Sequence, residues 1–223
     1  MEKGKLIVVD GLDGSGKGTQ SDKLVVHLNR VDKPTVKISF PNYEDKAAGA
    51  LKMYLDGEFG TDPDSVNAYA ASTFFAVDRF SSYKRVWQSK MYAGTNVVCD
   101  RYTTSNAIHQ MAKLPKDKWD DFLSWLFDFE FGKLGLPSPD MVIYLDMDVE
   151  VSQKLIEGRC KDKNIKKDIH EANVAYLAKC REAAHYCADK LGWNIIKCNV
   201  DDTPLSIDEI ATDIFELVQK ITR

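Results

Sequence analysis

The feature that most restricts what this chain can fold into is the stretch Leu6–Gln20, LIVVDGLDGSGKGTQ. Four apolar residues, Leu6 to Val9, predict a short buried strand, and Lys17 opens a helix. Between them, glycines at 11, 14 and 16 let the loop turn back with no Cβ in the way, so successive backbone N–H groups can converge on phosphate oxygens. Lys17 adds a mobile charge and the helix N-terminus a partial positive one. A turn that merely needed glycines would rarely carry G-x-x-x-x-G-K between a strand and a helix. The loop therefore predicts a phosphate cradle made of Gly11, Gly14, Ser15, Gly16, Lys17, Gly18 and Thr19. Position 18 is Gly where the general pattern has a metal-binding hydroxyl, and Thr19 brings that hydroxyl one residue later.

The 223 residues predict one domain spanning 1–223 with a sizeable core. Net charge −4 argues against a nucleic-acid or anionic-membrane partner, because both need a basic field. A phosphorylated small molecule must then be met by local positive charge. The five cysteines, at 99, 160, 180, 187 and 198, have no metal-type spacing and predict free thiols in a reducing compartment. Without a signal peptide or a membrane-length apolar run, the chain reads as cytoplasmic.

Short apolar runs at Leu6–Val9, Thr35–Phe40, Asn96–Cys99, Met141–Leu145 and Asn194–Cys198 alternate with helical patterns. Those cover about 17–29, 47–56, 64–91, 105–112, 116–131, 150–158 and 169–191, and a last helix opens with the capping box Ser206 to Glu209. This is an α/β pattern: a five-stranded parallel sheet with helices on both faces, whose ligands sit beyond the carboxyl ends of the strands. Residues 10–17, 40–43 and 100–102 should line one crevice.

Asp100-Arg101-Tyr102 ends the third strand. Asp100 is a candidate metal ligand, and the planar fork of Arg101 is suited to bridging two phosphoryl groups. Phe40, Tyr43 and the FFAVDR run at 74–79 supply aromatic faces and a cation; one of Phe74 and Phe75 should be core and the other should face a planar base. Between 159 and 167, Arg159, Lys161, Lys163, Lys166 and Lys167 face a single acid, Asp162, which predicts a cationic lid hinged at Gly158.

The loop sequence GKGTQ resembles that of adenylate-kinase-like nucleoside monophosphate kinases. The ordered set GLDGSGKGTQ, FPNY, FFAVDR, DRYTTSNA, GLPSPD and DIHE resembles the thymidylate kinase family more closely. That resemblance implies the P-loop NTPase fold, a lid at about 159–168, Mg²⁺, a homodimer, and transfer of the γ-phosphoryl of ATP to dTMP. It places Lys17 on the β/γ-phosphates, Asp13 at the deoxyribose 3′-hydroxyl, Phe75 on thymine and Arg79 at its exocyclic oxygen. Ser105 and Asn106 would read the base edge, and Phe40, Tyr43 and Arg101 would form the acceptor-phosphate side. Asp100 would sit near metal and phosphate, and Asp168 and Glu171 at the lid end.

The departures carry information too. The loop has no Arg among its middle residues, so Arg159, helped by Lys161, Lys163 or Lys167, is the expected clamp on the transferred group. His109 stands where a Tyr commonly excludes a ribose 2′-hydroxyl, Asn42 where an Arg often stands, and His170 where a Tyr often stands. Two alternatives remain at this level: a kinase for another deoxynucleoside monophosphate or a deoxynucleoside, and a nucleotide-binding module without catalysis.

Overall fold

A computed structural model describes residues 2–163 and 173–222. The chain runs β1 (Leu6–Gly11), α1 (Lys17–Arg30), β2 (Thr35–Ser39), α2 (Gly49–Leu55), α3 (Ala68–Ser82), α4 (Gln88–Tyr92), β3 (Asn96–Asp100) and α5 (Thr103–His109). It continues through α6 (Trp119–Phe127), β4 (Met141–Asp146), α7 (Val149–Lys163), α8 (Val174–Leu191), β5 (Asn194–Lys197), β6 (Asn199–Val200), β7 (Thr203–Pro204) and α9 (Ile207–Val218). Five strands form a sheet in the order β2-β3-β1-β4-β5, and every pairing in it is parallel.

The alternation of β1 explains why helices cover both faces. Ile7 and Val9 pack with Leu24, Leu28, Ile210 and Ile214 from α1 and α9. Leu6 and Val8 point the other way, to Trp87, Met91 and Tyr102. A third cluster joins Leu12 to α5, α6 and α8 through Ile108, Phe122, Leu126, Leu177 and Ala184. The chain leaves β1 toward β2 and β3 on one side and places β4 and β5 on the other, so the strand order reverses at β1. A crevice opens there at the carboxyl ends.

Three local predictions change. The long helix expected over 64–91 is α3 and α4 joined by a π-helical turn at Tyr83–Trp87; its apolar periodicity runs on across the change in winding. Gly158 does not break its helix, because α7 continues to Lys163 and Gly costs an exposed helix interior only about 1 kcal/mol. The turn expected at 201–204 is part of a small antiparallel ladder pairing Asn199 with Pro204 and Val200 with Thr203. The lid residues Lys166, Lys167, Asp168, His170 and Glu171 lie outside the described residues, as do the side chains of Arg159, Lys161, Asp162 and Lys163.

Candidate functional site

At the end of β1 the loop turns through Gly11, Gly14 and Gly16 at φ of 158°, 83° and 88°. Two of these glycines are fixed by crowding as well. A Cβ at Gly11 would lie 2.7 Å from the Leu145 carbonyl oxygen, and one at Gly14 2.7 Å from that of Ser152. Helix α1 starts behind Gly16 without a side-chain cap, which leaves its first-turn N–H groups for a ligand.

The loop opens onto a cavity of about 930 Å³ lined by Asp13, Gly14, Ser15, Gly16, Lys17, Gly18, Thr19, Phe40, Tyr43, Phe75, Arg79, Asp100, Arg101, Ser105, Asn106 and His109. The expected loop, metal and acceptor-site residues thus meet in one place, apart from Gly11. Asp10, Leu12, Asn42 and Tyr102 of the expected crevice segments are not part of its lining, and the expected lid-end residues Asp168 and Glu171 lie outside the described residues. Gly11 lies behind the lining, where it shapes the turn, and the Arg159 side chain is outside the described residues. Phe75 lines the cavity, whereas Phe74 packs on Tyr54 and Phe59, with ring centroids 6.3 and 5.8 Å apart.

One end of the cavity is a mesh of opposite charges. Asp13 Oδ1 lies 2.5 Å from Arg101 Nη2 and 3.5 Å from Lys17 Nζ. Lys17 Nζ also donates to the Leu12 carbonyl at 2.9 Å. Burial alone would raise the Asp13 pKa, but Arg101 and Lys17 together hold the carboxyl well below the usual range. Burial lowers the Lys17 pKa, aided by the Arg101 charge and opposed by Asp13 and Asp100. Arg101 Nη1 donates to Ser105 Oγ at 3.3 Å and lies 3.2 Å from His109 Nε2. Because a guanidinium can only donate, that nitrogen accepts, and Nδ1 carries the hydrogen toward Cys180 Sγ, 3.5 Å away. His109 is 5% exposed, so it is both a buried histidine and a cavity wall.

Burial raises the pKa of Asp100, with Lys17 and Arg101 opposing. Its carboxylate makes no hydrogen bond to the described residues and lies against Gly18, where a Cβ would come within 3.4 Å of Oδ2. Asp100 and Thr19 are hard oxygen donors on the phosphate side of the cavity, a set suited to Mg²⁺. That ion is commonly held by one or two protein groups plus substrate phosphates. No cluster of three metal-ligating side chains occurs among the described residues.

The other end is built around a residue that sequence reasoning missed. Glu130, fully buried in a π-helical turn at Asp128–Lys133 after α6, accepts from Arg79 Nε at 2.7 Å and Nη2 at 2.5 Å. It also accepts from Thr103 Oγ1 at 2.7 Å and Asn106 Nδ2 at 2.9 Å. Asp10, expected to line the crevice, instead points inward: it receives the hydroxyls of Thr104 and Ser105 at 2.6 and 2.7 Å and so roots α5 on β1, a role the sequence did not show. The second omission is an apolar wall over the loop, Met147, Leu155, Ile156, Pro204, Leu205 and Ile210. Nothing local distinguishes these apolar residues from core. Asp78, within FFAVDR, accepts from the Asn42 backbone N–H at 2.9 Å and so holds the loop carrying Tyr43.

The family model described as thymidylate kinase matches residues 9–214. The chain belongs to the thymidylate kinase family. A thymidylate kinase of Mycobacterium tuberculosis is 29% identical over 214 residues, covering 94% of this chain and 99% of the relative. One from Caenorhabditis elegans is 25% identical over 231 residues, covering 100% and 93%. The solved thymidylate kinase of Candida albicans matches with a TM-score of 0.73 at 22% identity, covering 98% of this chain and 92% of that one, which is a likeness of fold. The resemblance drawn from the motifs, and the fold expected from it, agree with these findings. No helix among the described residues is long and apolar enough to cross a membrane.

Proposed function

We propose that this thymidylate kinase family member transfers the γ-phosphoryl of ATP to dTMP, giving dTDP, within one kinase domain spanning residues 1–223. The observation that carries the reading is a single cavity lined both by the phosphate loop and by Phe75, Arg79 and Asn106, with Arg101 bonded to Asp13 of the loop and to Ser105, the neighbour of Asn106. Loop N–H groups and Lys17 hold the donor phosphates. Tyr43 and Arg101 hold the acceptor phosphate, with Phe40 beside them, and Asp13 accepts from the deoxyribose 3′-hydroxyl. Thr19 and Asp100 would hold Mg²⁺, which supplies charge neutralisation between the phosphates.

The acceptor is a phosphate oxygen already ionised near neutral pH, because the second pKa of a phosphomonoester is about 6. No side chain has to remove a proton, which is consistent with a site rich in cations and in carboxylates paired to them. Catalysis is then alignment plus stabilisation of charge on the transferred group. Arg159, on the described backbone of α7, belongs to this proposal as the lid clamp. Arg159→Ala should cost roughly 10³-fold in kcat/KM, and a loss of only a few-fold would reassign the clamp.

The homodimer is also part of the proposal. Val77 and Phe80, 54% and 38% exposed, form an apolar face on α3, while the aromatics of α6 pack internally, Trp125 on Tyr69 at 4.7 Å and on Phe129 at 5.3 Å. A monomer in sedimentation at micromolar concentration would rule it out.

The function is tested by an acceptor panel of dTMP, dUMP, dGMP, dCMP and thymidine with ATP. The expected result is fastest turnover with dTMP. Activity confined to thymidine would point to a nucleoside kinase, and intact ATP binding without turnover of any acceptor to a binding module.

A further inference from the structure

Asn106 and Arg79 both face the cavity, yet neither is free to choose how it presents itself. Asn106 Nδ2 donates to Glu130 Oε1 at 2.9 Å and to the Ser72 carbonyl at 3.2 Å, so both amide hydrogens are spent and Oδ1 is left toward the cavity. Arg79 spends Nε and one Nη2 hydrogen on Glu130 and one Nη1 hydrogen on the Tyr102 carbonyl at 3.3 Å. One hydrogen on each terminal nitrogen remains. The cavity edge therefore offers one acceptor and a pair of donors, in an arrangement set from behind by one carboxylate.

We infer that Glu130 is the positioning residue that fixes the hydrogen-bonding polarity of the acceptor-base edge, and through it selects a 4-oxo pyrimidine over a 4-amino one. This rests on the assignment of a pyrimidine nucleotide to this end of the cavity. Thymine presents an N3–H donor and a carbonyl acceptor, which match Asn106 Oδ1 and the spare Arg79 hydrogens. Cytosine presents an acceptor at N3 and an amino donor, which oppose both. Each Glu130 oxygen receives two donors: Oε1 those of Arg79 and Asn106, Oε2 those of Arg79 and Thr103. A neutral amide in its place must turn an NH₂ toward an N–H of Arg79, or of Arg79 and Asn106 together. Whichever way it turns, at least one reader is released.

The experiment compares kcat and KM for dTMP and dCMP in the wild-type chain, Glu130→Gln and Glu130→Asp. In Glu130→Gln the KM for dTMP should rise and the dTMP-to-dCMP ratio of kcat/KM fall by roughly 10- to 100-fold, with kcat for dTMP within about threefold of wild type. Glu130→Asp keeps a two-oxygen acceptor, so it should retain the ratio within about threefold even where KM rises, and it serves as the readout where Glu130→Gln does not fold. A ratio unchanged in Glu130→Gln despite lower stability, or one lost equally in Glu130→Asp, would overturn the proposal and leave Glu130 a packing residue. A wild-type chain inactive on dTMP would instead refute the assigned substrate.

Discussion

Two arginines face the same cavity under opposite conditions. Arg79 is 1% exposed and paired with one carboxylate that is itself 0% exposed, through a two-pronged contact in which every Glu130 oxygen is used. A fully satisfied buried pair has essentially one low-energy arrangement, since any other leaves a charge unpaired in a low dielectric. Arg101 sits at φ 66°, its backbone N–H bound to the Val9 carbonyl at 3.0 Å, and divides its guanidinium among Asp13, Ser105 and His109, with Asp10 3.8 Å away. With several partners it can give one up to an incoming phosphate and keep its charge neutralised. The base end is thus a fixed template, and the phosphate end a set of charges able to redistribute as phosphate arrives. A non-glycine residue in the left-handed region costs of order 1–3 kcal/mol and persists only where the surroundings impose it.

If this division holds, the largest effect falls on turnover at the phosphate end. Arg101→Ala should lower kcat for dTMP about 10³-fold in a coupled ADP-release assay; a loss below tenfold would remove Arg101 from the transfer step. A smaller effect, on stability, is expected at the template end. Arg79→Lys keeps the charge but not the fork, and the urea midpoint should report a loss of about 1.5–3 kcal/mol, the range for hydrogen bonds to charged groups. No change in the midpoint would mean the pair is not the rigid element described.

The smallest effect concerns Asp100. Its pKa is raised by burial against Lys17 and Arg101, so the folded state binds the proton more tightly than the unfolded one. The associated stability is fully present below the unfolded pKa and is lost as pH rises through the folded value. At pH 7.5 the ionised carboxylate is therefore a net cost, and Asp100→Asn should melt higher than wild type there. The gain should vanish near pH 4, and activity should fall at both pH values. A lower melting temperature for the variant at pH 7.5 would contradict that sign.

The sequence made the sheet legible because its inner strands β1, β3 and β4 are short apolar runs, as parallel strands buried on both faces have to be, while the half-buried edge strands β2 and β5 show only a shorter apolar signal between turn residues. The loop was legible because its glycines answer to geometry within a few residues. Glu130 was not. It lies 51 positions from Arg79 and 24 from Asn106, amid aromatic residues, in a π-helical turn that shifts it out of ordinary helical phase, so no local pattern separates it from a solvated surface acid. The inward role of Asp10 was hidden differently. That residue sits inside a motif that explains its neighbours, and its hydroxyl partners are 94 and 95 residues away. Pro204 and Leu205 reach the cavity only because the β6–β7 ladder folds that segment back toward the loop.

The most direct test of the division between template and mobile charge is the dTMP-to-dCMP ratio of kcat/KM, measured side by side in Arg101→Ala and Arg79→Lys. The account predicts a ratio within about threefold of wild type in Arg101→Ala despite its low turnover, and a ratio reduced about tenfold or more in Arg79→Lys. A ratio that collapses in Arg101→Ala and survives in Arg79→Lys would contradict it.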